Sequence, residues 1–163
     1  MRILLVSALV VSSVALAGDA KKKDRWERIE MNNAEEHKQV TRLCGKEIPD
    51  TIDHASFGDD IYRVVGPEQC YHMLEALRIE CGLKDSYKES AVAKIKKMVC
   101  RYGGPLTAKQ KETAISQRKQ DLKILKDGTF EWIQHYDADT EFKEFTIGDS
   151  LTTDIMKFLD KEL

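Results

Sequence analysis

Four cysteines carry the clearest chemistry in this chain: Cys44, Cys70, Cys81 and Cys100. An even number without C-x-x-C spacing suits structural disulfides rather than a catalytic dithiol or a zinc site. Cys70, Leu74, Leu77 and Cys81 recur at helical spacing, so Cys70 and Cys81 share one helix face. They would lie about 16 Å apart along it, far beyond the roughly 4.4–6.8 Å that a bridge spans. Pro67 suits the start of this helix and Gly82 its end, and Ser86 with Glu89 reads as a capping box opening a second one. In that second helix Ala91, Val92, Ile95, Met98 and Val99 form an apolar stripe. An antiparallel hairpin puts Cys81 and Cys100 at opposite ends, which leaves Cys44–Cys81 with Cys70–Cys100. One residue sits awkwardly: Cys100 falls about 140° around the helix from Ile95.

Lys94, Lys97 and Arg101 follow one another at i, i+3 and i+7 on the expected second helix, a basic face suited to an acidic partner. Charge is uneven along the chain. Residues 61–104 hold eight Lys/Arg against five Asp/Glu, and residues 105–163 hold nine against twelve. The whole chain is mildly acidic, with a formal charge of −2, so nothing global points to nucleic acid.

Gly148-Asp149-Ser150-Leu151 resembles the nucleophile block of the GDSL (SGNH) lipase and esterase family, which would make Ser150 a nucleophile. In that family the block lies near the N-terminus, and an Asp-x-x-His near the C-terminus supplies acid and base. Here none of His37, His54, His72 and His135 has Asp three positions before it. A serine without a base is a poor nucleophile, and Asp and Ser at this place serve as a helix N-cap. Asp137, Asp139 and Glu141 alternate as calcium ligands do, but Phe142 and Gly148 stand where an EF-hand needs Gly and Glu. Asp50, Asp53, His54, Asp59 and Asp60 form a second polar cluster, equally suited to starting a helix. His72, opposite the cysteine face, is expected at the surface. No catalytic set, metal set or cofactor is expected.

These residues must be positioned by the elements around them. Arg2, the apolar run Ile3–Ala17 and the small residues of Ala15-Leu16-Ala17 make the three-part pattern of a signal peptide over residues 1–17. At about 15 residues the run is short for a bilayer span. A mature domain of residues 18–163 follows, divided into a helical part (18–104) and a hairpin with a terminal helix (105–163). Residues 18–24 read as a disordered lead-in. A helix is expected from Asp24 to Leu43, exposed or broken near Asn32-Asn33, and stopped by Gly45 and Pro49. Ile52, Phe57, Ile61, Val64 and Val65 fit a helical turn and a short helix, with a strand at 61–65 as the alternative.

Further on, Leu122, Ile124, Asp127-Gly128, Phe130 and Trp132 signal a hairpin. Trp132, Phe130 and Tyr136 are read as core rather than as a binding surface. Residues 107–120 fit either a helix or, at 113–117, a strand. Residues 142–147 read as a strand, and Asp149 or Ser150 caps a helix that turns Leu151, Ile155, Phe158 and Leu159 inward.

The fold class expected is α+β, mainly helical: a disulfide-braced N-terminal helical part packed with a C-terminal antiparallel hairpin and a terminal helix. The function expected is non-enzymatic: a small secreted or periplasmic protein that binds a protein or other acidic macromolecule, with no nucleic acid, and that is not integral to a membrane once the signal is cleaved. A small hydrolase assembled from distant segments, or a secreted enzyme inhibitor with a rigid exposed loop tip, are the alternatives.

Overall fold

The computed structural model describes residues 4–58, 67–83, 85–112, 118–137 and 148–163, without the side chains of residues 4–22, 25, 118 and 148–150. The first element is α1 (Leu4–Cys44), which runs unbroken through both the segment 18–24 and Asn32-Asn33. The segment expected as a disordered lead-in is therefore helical, and of the two readings of the middle the unbroken, largely exposed helix holds. Asn33 is buried beside Ile29, Val40 and Cys44 on the face that packs inward, so tertiary burial overrides a locally polar sequence. Gly45, at φ +74°, ends the helix and donates its N–H to the Thr41 carbonyl, as a left-handed C-terminal cap does.

Strand β1 (Asp50–Ile52) and the short α2 (His54–Phe57) follow. Asp53 caps α2, accepting from the Ser56 N–H at 3.2 Å. A 3-10 turn (Pro67–Cys70) leads into α3 (Tyr71–Leu83), and α4 (Asp85–Lys94) comes next. Ser86 thus lies within the first turn of α4 and not at its cap. The expected second helix then stops short. Lys97–Tyr102 is strand β2, lying parallel between β1 and the later β4.

The change has a physical cause. Met98 and Cys100 alternate with Lys97 and Arg101, which puts two core residues on one face of a strand. Both edges of β2 are paired, with Met98 opposite Asp50 and Phe130. Its backbone groups are thus satisfied by neighbours that no local pattern reveals. Cys100, awkward on a helix, is in place on a strand.

After β2 come α5 (Ala108–Lys111), capped by Thr107 and Gln110, then β3 (Arg118–Ile124), β4 (Thr129–Tyr136) and α6 (Gly148–Glu162). Helix α6 begins at Gly148, so Asp149 and Ser150 lie in its first turn. Residues 61–65, 113–117 and 142–147, read above as helix or strand, lie outside the described residues, as do Asp59 and Asp60. Residues 118–120, part of the 107–120 ambiguity, belong to β3.

The sheet is mixed, in the order β1-β2-β4-β3, with only the β3–β4 pair antiparallel. Two of its four strands come from the N-terminal part expected to be helical. The fold is α+β and mainly helical, and its two parts share one sheet and one core. Met98, Cys100, Phe130, Trp132 and Tyr136 on the inner sheet face meet Leu74 and Leu77 of α3 and Ile155 and Leu159 of α6. Phe130 stacks on Phe158 with centroids 5.7 Å apart. Cys44 is bonded to Cys81 and Cys70 to Cys100, with Cα separations of 5.0 and 5.8 Å. The first bridge ties α1 to α3, and the second ties the entry of α3 to the middle of the sheet.

Candidate functional site

Strand β2 dismantles the expected Lys94/Lys97/Arg101 helix face and places the three cations differently. Lys94 sits at the end of α4, where its ammonium donates to the backbone oxygens of Glu162 and Leu163. Ser90 Oγ donates to the same Leu163 oxygen at 2.6 Å. A cation at the carbonyl-rich end of α6 is favourable, because those carbonyls lack helical partners.

Lys97 and Arg101 instead face outward from β2, away from the helices. By strand register they share that face with Glu131 and His135 of β4 and with Lys119, Asp121 and Lys123 of β3. Arg101 Nε lies 3.4 Å from Glu131 Oε1, and Lys123 Nζ lies 2.8 Å from Glu131 Oε2. The hydrogen bond from Lys123 holds the Glu131 carboxyl below its ordinary range against the opposing effect of burial, and the Arg101 charge adds to it. Lys97 Nζ pairs with Asp127 Oδ2 at 3.7 Å, and His135 Nε2 with Asp121 Oδ2 at 3.2 Å.

Next to this face the β3–β4 turn meets the α4–β2 junction and the end of α6. They enclose an open pocket of about 410 Å³, with Lys94, Lys96, Lys126, Ile124, Leu125 and Glu162 in its walls. Lys96 Nζ donates to the Val92 carbonyl. Among the described residues nothing engages the Lys126 ammonium. Lys96 and Lys126 were not marked by helical spacing. The place of Lys126 before Asp127-Gly128 marks it as part of an exposed turn; the placement of Lys96 follows only from the strand character of β2.

A second constellation joins α3, α6 and α1. Thr152 Oγ1 donates to Glu75 Oε2 at 2.6 Å, and His72 Nδ1 lies 2.9 Å from Thr152 Oγ1 and 3.2 Å from Glu75 Oε2. Arg78 then links Glu75 to Glu36 of α1, its Nε 2.9 Å from Glu36 Oε2. Thus His72, expected at the surface, is only 4% exposed, because α6 packs over that face of α3.

Hydroxyl, imidazole and carboxylate suggest a nucleophilic triad, but the geometry is wrong for one. A triad base contacts the hydroxyl and the carboxylate through opposite ring nitrogens; here both contacts use Nδ1. Thr152 is 6% exposed, which keeps a substrate carbonyl from its oxygen. The network is a polar strut between helices. The side chain of Ser150, the residue of the GDSL-like block, lies outside the described residues.

The acidic clusters divide similarly. Asp137 Oδ1 accepts from the Leu106 N–H at 3.1 Å and Oδ2 pairs with Lys111 at 2.8 Å, an anchor for the α5 segment. The Lys111 bond is the chief cause of a lowered Asp137 carboxyl pKa. Residues 138–141 lie outside the described residues. Asp50 Oδ1 is 2.5 Å from His37 Nδ1. His54 sits edge-on to Trp26 with centroids 3.9 Å apart, and burial lowers its pKa despite nearby Glu30 and Asp53. Among the described residues no three His, Cys, Asp or Glu side chains are grouped to hold a metal.

No family model, curated protein or solved structure matches this chain.

Proposed function

We propose that this is an exported, disulfide-braced binding protein that engages an acidic segment of another protein through its outer sheet face and the adjoining turn. One observation carries the reading. On a chain of net charge −2, Lys97, Arg101, Lys119 and Lys123 share one sheet face by register, with Lys126 at the turn beside them. Their acidic neighbours on that face are Asp121 and Glu131, so the face is a local reversal of the chain's sign. Trp132 and Phe130 are buried, and among the described residues the face offers no aromatic platform of the kind that stacks nucleic-acid bases.

Export rests on the signal-like residues 1–17 and on four cysteines all closed in disulfides, bonds that form and persist in oxidising compartments. Among the described residues no helix is long and apolar enough to cross a membrane. A protein outside the cytoplasm, secreted or periplasmic, fits both.

The test uses a fluorescent oligoglutamate peptide and the disulfide-intact mature protein. Binding measured by anisotropy should weaken steeply with salt. It should be lost in a Lys97→Glu/Lys123→Glu variant that melts like the parent. No binding by the parent, or equal binding by the variant, overturns the reading.

A further inference from the structure

We propose that the pocket beside the β3–β4 turn is an anchor site that seats one apolar side chain of an acidic peptide, with carboxylates flanking that side chain. This rests on the acidic-partner reading above and goes further by specifying what the partner presents.

The apolar wall is Ile124 and Leu125. Leu125 is 37% exposed, although both backbone groups beside it are fixed. Its N–H donates to the Thr129 carbonyl at 2.8 Å, and its carbonyl accepts from the Gly128 N–H at 2.9 Å. An apolar side chain is thus left partly exposed on a hydrogen-bonded turn, and little ordering remains to be done when a ligand arrives.

Among the described residues, Lys96 and Lys126 on this wall are held without a carboxylate partner. Lys94 and Lys96 are bonded to backbone carbonyl oxygens, of Glu162, Leu163 and Val92. The Val92 carbonyl orients the Lys96 ammonium but carries no formal charge. Lys126 has no partner among the described residues. Of the nearby carboxylates, Asp127 is already committed. It faces Lys97 at 3.7 Å and accepts from the Thr129 N–H at 2.9 Å. Lys96 and Lys126 therefore stand against Glu162, with Lys94 engaged at the end of α6.

Complementarity then selects the ligand. An oligoanion alone would satisfy the lysines but leave the Leu125 wall wet. A purely apolar ligand would strand the ammonium groups. A continuous phosphate backbone would meet Glu162 and Asp127 between the lysines. A peptide with a Leu or Phe between acidic residues satisfies both kinds of wall. The pocket is open, which suits a side chain of a larger partner better than a buried small molecule, whose surface is normally 70–90% enclosed, as a rough guide.

The experiment compares two labelled peptides of equal length and charge on the mature protein. One has a central Leu between glutamates, the other a central Gly. The Leu peptide should bind about ten-fold more tightly, the gain of partly burying one apolar side chain. Leu125→Ser should erase that difference, while Lys126→Glu should weaken both. Equal binding of the two peptides, with Leu125→Ser neutral, overturns the anchor but leaves the basic-face reading standing. Failure of both peptides to bind overturns the two together. A single-stranded oligonucleotide of matched charge that displaces the Leu peptide at lower concentration than the Gly peptide does would also overturn the anchor.

Discussion

The backbone N–H of Lys96 donates to the carbonyl oxygen of Gly128 at 2.8 Å. That single bond fixes the tip of the β3–β4 hairpin against the junction where α4 becomes β2. The hairpin and the junction come from separate stretches of the chain, and the pocket lies where they meet.

Gly128 is required at this contact on two counts. Its φ of +84° is strained for any residue with a Cβ, and a Cβ built there would lie 2.5 Å from Lys96 Cγ and 3.0 Å from the Lys94 carbonyl oxygen. Gly128→Ala should therefore destabilise the fold by about 2 kcal/mol, backbone strain and clash together. It should also abolish the preference for the Leu peptide, since the turn must lift off its seat. Urea denaturation and peptide anisotropy check the two effects, and an unchanged midpoint would show that the turn is not seated this way.

Thr152 gives a prediction with a pH dependence. Burial raises the Glu75 carboxyl pKa, but the hydrogen bonds from Thr152 and His72 outweigh it, with the His72 and Arg78 charges assisting, and the net shift is downward. A carboxyl lowered on folding contributes stability that is present above its unfolded pKa and disappears as pH falls through its folded one. Thr152→Val keeps the shape and removes the hydroxyl, so it should cost about 1–2 kcal/mol at neutral pH. Because the Glu75 pKa then rises toward its unfolded value, the loss of stability on acidification should be shallower in the variant. Denaturation midpoints from neutrality down through the carboxylate range, near about pH 4, measure this. Parallel curves for parent and variant would contradict the strut.

How far the sequence disclosed the molecule depended on whether the deciding interactions were local. The hairpin around Asp127-Gly128 and the inward stripe of α6 are local patterns, and they were legible. Strand β2 was not, because Ala91, Val92, Ile95, Met98 and Val99 satisfy a helical period while Met98 and Cys100 satisfy a strand period equally well. Partners on both sides decided between them, Asp50 and Phe130 opposite Met98. The misfit of Cys100 on the helical stripe was the one local hint.

The same reasoning applies to the site. Lys97 and Arg101 could be picked out as cations, but their common face is a property of alternation on a strand and not of i, i+4 spacing. His72 was placed outside because nothing near it in the chain announces α6, eighty residues later, as the element that buries it.

The N-terminal reading makes a separate claim about stability. On α1 the first buried side chain among those described is Ile29, followed by Asn33, Val40 and Cys44. A chain lacking residues 1–17, read here as a signal removed on export, should unfold within about 0.5 kcal/mol of the full chain, because the mature fold forms without them. N-terminal sequencing of the protein from its native compartment should begin at Gly18. A markedly lower midpoint for the shortened chain would mean that the first helical turns contribute to the core.

The two disulfides allow chain entropy to be separated from local bonding. They close loops of similar length, with sequence separations of 37 for Cys44–Cys81 and 30 for Cys70–Cys100. Chain entropy alone gives about 4 kcal/mol for each, slightly more for the longer. The shorter one, however, has a local partner. Gln134, buried on the inner sheet face, directs its amide Nε2 to Cys100 Sγ at 3.4 Å and to Cys70 Sγ at 3.9 Å. Cys70→Ala/Cys100→Ala takes these acceptors away inside the core and should cost about 1 kcal/mol beyond the entropic loss. Cys44→Ala/Cys81→Ala has no such addition. Its effect should show in faster amide exchange along α1, which loses its covalent tie to α3. The expected order of stability is therefore parent, then the 44/81 variant, then the 70/100 variant, the reverse of what loop length dictates. Denaturation of the three proteins side by side decides it. If the 44/81 variant proves the weaker, loop closure alone governs these bonds and the Gln134 contact is energetically idle.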